Sequence, residues 1–186
     1  MKYAIILCLG LVSCSRVTLE KYAEYRSAND FQYNIDTLAN ETTYRLTYVP
    51  IEEIVVSNVG SLSKEELKAE YHKMKLVNMS SFQLRMSSNI LSKSSNKSQK
   101  TEQMEYYAVE FKKHIKAINN LGDTLDCSNY LLLQNGVMGG QLMFEFDFQN
   151  QINAIQEIVL NANDPKNTEV RIDLSAFHRK YPTLKI

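Results

Sequence analysis

The chain has 186 residues, and its 21 lysines and arginines balance 21 aspartates and glutamates, so the formal charge is zero. A general nucleic-acid binder carries a basic excess, and this chain carries none. With 44% hydrophobic and 23% charged residues, the composition is globular, and the length suits one domain with its own core.

Lys2 is followed by an uncharged stretch of 13 residues, Tyr3 to Ser15. A spanning helix needs about 20 apolar residues, so this stretch is too short to span and fits the apolar region of an export signal. It ends in Leu11-Val12-Ser13-Cys14, with a small residue directly before a thiol. That run resembles the lipobox of bacterial lipoproteins. The resemblance implies a signal peptide over residues 1–13, cleavage before Cys14, and lipidation of Cys14 by a diacylglyceryl group on sulfur and a palmitate-type chain on the new amine. Two or more chains anchor a protein stably. Ser15 after the cysteine implies outer-membrane retention. Arg16-Val17-Thr18-Leu19 lacks the acidic cluster linked with surface export, which favours the periplasmic face. Cys8 leaves with the signal and Cys14 carries lipid, so Cys127 is left without a disulfide partner in the mature chain. It reads as a small buried hydrophobe.

Residues 14–30 are expected to form the lipid anchor and a polar tether that docks on the domain, with Thr18 capping a short helix. A single β-rich domain is expected over 31–186. Phe31, Tyr33 and Ile35 alternate as a short edge strand, and Asn40-Glu41-Thr42 marks a turn. Tyr44, Leu46 and Tyr48 alternate up to Pro50, after which Ile54-Val55-Val56 reads as a buried extended run. Ser63-Lys64-Glu65-Glu66 is a capping box, which predicts a helix from Lys64 to about Met74 with Leu67, Tyr71 and Met74 on one face.

Phe82, Leu84 and Met86 share one side of a further strand. Residues 92–100 contain no apolar side chain and predict a mobile loop. Residues 104–118 fit both a helix face and a strand. A short helix to about Tyr107 followed by a strand is preferred, because Asn119-Asn120-Leu121-Gly122-Asp123 reads as a hairpin loop leading to a strand over Thr124–Gln134. Leu142, Phe144, Phe146 and Phe148 form the clearest strand. Ile155, Ile158 and Leu160 suggest another, and Val170, Ile172 and Leu174 a last one. Six or more short antiparallel strands predict a mainly β (α+β) protein. Its expected form is an antiparallel β-sandwich or partly closed barrel with one or two short helices packed beside it. No helix follows each strand, which disfavours a doubly wound sheet.

The lipobox, the stretch Tyr44-Arg45-Leu46-Thr47-Tyr48-Val49-Pro50 and the stretch Gly122-Asp123-Thr124-Leu125-Asp126-Cys127 together resemble small lipoproteins of Bacteroidota-type bacteria. The resemblance brings no activity with it.

Catalytic and metal signatures are weak. His72, His114 and His178 stand among basic neighbours with no ligand at metal spacing. Gly136-Val137-Met138-Gly139-Gly140 continues into a strand, not into the Lys-Ser/Thr and helix of a phosphate loop. Asp123, Asp126, Glu145, Asp147 and Asp173 read best as charges on a solvated sheet face; an acid–base pair would require Asp173 opposite Glu145 and Asp147. No cofactor is implied, and the protein is expected not to be an enzyme.

One charge feature stands out. From Tyr71 to Thr101 no acid occurs, yet Lys73, Lys75, Arg85, Lys93, Lys97 and Lys100 do. These six are the candidate contacts to an anionic glycan, a lipid or an acidic envelope protein. The function expected is that of a membrane-anchored envelope lipoprotein acting as a non-catalytic interaction or binding module. The alternatives are a small-ligand carrier with a cavity between the sheets, and a hydrolase of envelope polymers.

Overall fold

The computed structural model describes residues 16–87, 97–133, 141–161, 169–179 and 181–185. Cys14, Lys93 and the Gly136–Gly140 loop lie outside them. In chain order the elements are β1 (Arg16–Val17), α1 (Leu19–Ala28), β2 (Asn34–Ala39), β3 (Thr42–Val49), α2 (Ile51–Ser57), α3 (Lys64–Leu76) and β4 (Ser80–Ser87). Then follow α4 (Lys97–Glu105), β5 (Ile115–Asn119), β6 (Thr124–Asp126), β7 (Asn129–Leu132), β8 (Gln141–Phe148), β9 (Ile155–Asn161), β10 (Glu169–Asp173) and β11 (Thr183–Leu184).

Two antiparallel sheets make the body of the molecule. One runs β2-β3-β4-β8-β7 and the other β10-β9-β5-β6. They are not hydrogen-bonded to each other, so the expected α+β fold is sandwich-like and not a closed barrel. Strand alternation sets the interior. Leu142, Phe144, Phe146 and Phe148 of β8 face the same core as Phe82, Leu84 and Met86 of β4, and Val170 and Ile172 of β10 meet them from the other sheet. Four helices lie alongside, against the one or two that the sequence predicts.

Several local expectations are corrected. Phe31 and Tyr33 are not in a strand: residues Asp30–Tyr33 form one 3-10 turn, and the edge strand β2 starts at Asn34. The run Ile54–Val56 is helical. Pro50 closes β3 at the cap position of α2, Glu52 and Glu53 favour the helix N-terminus, and Ile51 and Val55 at i,i+4 turn one apolar face inward. After α4, residues Tyr106–His114 stay helical, and the strand begins only at Ile115. Tyr107 and Phe111 are four apart, so one helical face buries both. Of the loop expected over 92–100, residues 92–96 lie outside the described residues and 97–100 belong to α4, where Ser98 donates to Glu102 one turn on, at 3.2 Å.

The strand expected over Thr124–Gln134 is two strands in different sheets. The chain crosses at Cys127-Ser128, where the Ser128 N–H and hydroxyl both donate to the Asp147 carbonyl at 2.8 and 3.0 Å. On β9, a bulge against Ile118/Asn119 shifts the register, so Ile155 and Ile158 both point inward although three apart. The predicted turn at Asn40-Glu41 joins β2 to β3, with positive φ at both residues, as a two-residue hairpin of the right twist requires.

The capping box is present: Ser63 accepts from the Glu66 N–H at 3.3 Å, and Glu66 accepts from the Ser63 N–H at 2.7 Å. Leu67 and Tyr71 of α3 pack with Tyr22 of α1, Val55 of α2 and Leu184 of β11 in a second, smaller core. The segment read as a tether is thus packed from Arg16 onward. Thr18 caps α1, and β1 pairs in parallel with β11. Among the described residues, no helix is long and apolar enough to cross a membrane.

Candidate functional site

The space between the sheets is filled by side chains, including Phe82, Phe111, Phe144, Phe146, Phe148 and Phe177, all essentially without exposure. Two hollows lie on the outer face of the five-stranded sheet. Alternation carries every second residue of β3, β4 and β8 to that face: Arg45 and Thr47, Gln83 and Arg85, Met143, Glu145 and Asp147. Helix α2 and the end of α1 rise beside it and turn the face into a groove.

One end of the groove is a hollow of about 400 Å³ lined by Ile54, Val49 and Met79 together with three carboxylates, Glu53, Glu145 and Asp147. Glu145 accepts from the Gln83 amide at 2.9 Å, and Asp147 from the Asn129 amide at 2.8 Å. Neither bond brings a cation, and among the described residues neither carboxylate forms an ion pair. Glu53 alone is neutralised, by Arg26 at 2.8 Å.

The other end is a hollow of about 260 Å³ lined by Arg26, Arg45 and Arg85 with Asp30, Asn34 and Met143. Gln83 lines both hollows and stands between them. Arg26 bonds Glu53 and Asp30 and lies 4.0 Å from the centre of the Tyr33 ring. Burial opposes its charge, but its two carboxylate bonds outweigh burial and hold its pKa above the ordinary arginine value. Arg45 grips Asp36 with two bonds of 2.7 Å, which hold the Asp36 carboxyl below its usual range. Arg45 also stands directly opposite Arg85 across β3 and β4. Like charges in that position repel, and Arg85 pairs with no acid among the described residues.

Among the described residues the groove is therefore bipolar, with an unpaired cation at Arg85 and unpaired carboxylates at Glu145 and Asp147. Arg85 sits opposite Met143, and Glu145 is two residues further along the same strand. Such diagonal neighbours are roughly 7–8 Å apart.

The sequence-predicted cations are distributed, not gathered. Arg85 belongs to the groove. Lys73 and Lys75 ride on α3, where the Lys75 ammonium lies 4.4 Å over the Tyr71 ring. Lys97 and Lys100 are in the first turns of α4. No described hollow or contact joins these three groups. The five acids are likewise dispersed. Asp173 does not face Glu145 and Asp147, because β10 is in the other sheet; it accepts from the Ser175 N–H at 2.8 Å instead. Asp126 pairs with Lys116, and Asp123 with the Asn119 amide.

Cys127 is buried at the sheet crossing, where burial pushes its thiol up to about 11 despite the nearby Lys112. A thiol so held is a poor nucleophile. Among the described residues, no group of three or more His, Cys, Asp or Glu is arranged to hold a metal ion. His178 meets the Ile155 carbonyl at 2.7 Å, and His72 and His114 stand beside tyrosine rings.

Sequence reasoning identified Arg85, Glu145 and Asp147 as charged strand residues, but not Arg26, Arg45 or Glu53 as their neighbours. The visible signal was parity: Arg45 alternates with Tyr44 and Leu46 as Arg85 does with Leu84 and Met86.

Fold and site define a sandwich-like α+β domain with a bipolar groove outside one sheet. No family model matches the chain, and no curated protein matches it in sequence. Among solved structures it is similar to a crystal structure of a protein of unknown function from Burkholderia pseudomallei, at 14% identity over 90% of this chain and 95% of that one, with a TM-score of 0.41. So distant a likeness carries neither fold detail nor function across.

Proposed function

We propose that the protein is a lipid-anchored, non-catalytic binding module of the bacterial envelope, held through Cys14 to the periplasmic face of the outer membrane, and that the groove on the five-stranded sheet is its binding surface. The anchor rests on the lipobox-like run Leu11-Val12-Ser13-Cys14. The binding surface rests on one observation: Arg45 faces Arg85 across paired strands, and among the described residues Arg85 has no acidic partner while Glu145 and Asp147, diagonally beyond, have no cation. Repulsion that folding leaves in place is relieved when a ligand supplies the missing charges.

The ligand that fits carries a cation and an anion one short segment apart, with an apolar group beside the cation to meet Ile54 and Met79. A tripeptide with free termini has this form, since three extended residues span roughly 10 Å at most. The inter-sheet carrier reading draws no support from an interior filled by aromatic rings, and the acid–base pair that needs Asp173 opposite Glu145 and Asp147 draws none from Asp173 in the other sheet.

The test is thermal unfolding with the tripeptide Leu-Gly-Gly, its N-acetylated form and its C-amidated form. Binding to the native state raises Tm. The free tripeptide should raise it, either capped form should raise it less, and Arg85→Gln should abolish the rise. Equal shifts with all three peptides, or none with any, would remove the groove as the site.

A further inference from the structure

Helix α3 changes sign along its length. Glu65, Glu66 and Glu70 outnumber Lys64 and Lys68 in its first half, and Lys73 and Lys75 stand without an acid in its second. Beyond Lys75 stand Leu76, 87% exposed, and Val77, 46% exposed. Leu76 is the most exposed large apolar residue among the described ones. A lone exposed leucine needs no explanation. Here it is next to a second apolar residue and near two lysines, and Val77 lines a shallow hollow of about 360 Å³ with Ala69, Glu70, Lys73 and Met74.

The chain's beginning is fastened to α3 at Tyr71, in its second half. Val17 of β1 pairs with Leu184, and the Leu184 N–H donates to the Tyr71 hydroxyl at 3.2 Å. The Tyr71 ring carries the Lys75 ammonium, and Val17 and Met74 pack against one small core. Cys14 lies two residues before Arg16. At 3.3–3.6 Å per residue, that is roughly 7 Å of chain. Acyl chains on Cys14 would hold Arg16 within about one headgroup layer of the bilayer, and the contacts just described tie α3 to the next residue, Val17.

We propose that the C-terminal end of α3 is the membrane-facing surface of this protein: Lys73 and Lys75 meet anionic phospholipid headgroups while Leu76 and Val77 enter the boundary of the acyl region. This rests on the proposed lipidation of Cys14 and extends it, because it orients the whole sandwich on the bilayer. The physics is that of a peripheral contact, with a small apolar insertion helped by attraction between lysines and anionic lipid. The lysines alone are screened within about 8 Å at physiological salt, so the contact depends on the anchor to bring them close.

The chain contains no tryptophan, so a single introduced indole reports its own position. Full-length protein purified from membranes as Leu76→Trp, and separately as Leu121→Trp, is reconstituted in vesicles of phosphatidylethanolamine and phosphatidylglycerol with brominated acyl chains. Leu121 is 80% exposed on the β5–β6 hairpin, outside the α3 core. The expected result is emission from Trp at 76 that is blue-shifted and at least halved by the brominated lipid, with neither effect at 121. Lys73→Gln with Lys75→Gln should reduce the quenching at 76. Protein that stays on the vesicles while both positions remain unquenched overturns the orientation but leaves the anchor. Protein that does not stay on the vesicles removes the anchor, and this inference with it.

Discussion

Between the sheets, Phe82, Phe146 and Phe148 meet ring against ring at 5.8–6.1 Å, and Phe111 meets Phe144 at 5.2 Å. Beside α3, the small core has a hydroxyl at its centre: Tyr71 donates to the buried Glu52 carboxylate at 2.8 Å and accepts from the Leu184 N–H. The first core is joined by apolar surface that any well-shaped ring supplies. The second has few apolar side chains and depends on a chain of polar bonds linking α2, α3 and the chain's two ends. The difference implies that the sandwich carries the global stability, while the small core fixes where the N-terminal segment leaves the domain.

Substitutions in the two cores should break differently. The largest loss is expected at Phe144, which is without exposure. Phe144→Ala should cost about 3–5 kcal/mol by the usual range for buried phenylalanine, whereas Glu145→Ala, one residue on and facing the groove, should change urea unfolding little. A similar small loss for both would mean that the β8 register is wrong.

In the small core, Tyr71→Phe keeps the ring and removes only the hydroxyl. It leaves the Glu52 carboxylate without its donor and the Leu184 N–H without its acceptor, a cost of roughly 1–3 kcal/mol. Amide hydrogen exchange should accelerate at Leu184 and Val17 before it does in β4 or β8. Uniform acceleration throughout would show that the two cores unfold as one unit.

The smallest effect is expected at Tyr33. The Tyr22 and Tyr33 hydroxyls are buried, and among the described residues neither meets a partner in hydrogen-bond geometry. Burial pushes both phenols well above the ordinary tyrosine pKa. Removing an unpaired buried hydroxyl costs nothing of its own, so Tyr33→Phe should leave Tm unchanged or slightly raised. A clear drop would reveal a partner for that hydroxyl.

Much of this was legible in the residues. Parity along β4, β8 and β10 placed Phe82, Phe144 and Ile172 in the core, because a half-buried strand leaves that period in the sequence. The Ser63–Glu66 box announced α3 for an equally local reason. What could not be read depends on tertiary context. Ile54-Val55-Val56 has strand-like composition, but the core beside α3 takes it as a helix. Tyr107 and Phe111 satisfy both periods, and only packing decides between them. The groove was hidden for the same reason. Arg45 and Arg85 are 40 positions apart, with two helices between, and nothing local states that β3 pairs with β4 in a register that sets them face to face.

The claim on which the functional account stands is that this sandwich works from a membrane, and the mass of its native N-terminal peptide tests it most directly. Protein extracted from its host's membranes with detergent should yield no peptide from residues 1–13 and a first residue, Cys14, carrying acyl chains on sulfur and amine. An intact Met1, or an unmodified Cys14 in the membrane fraction, would contradict it.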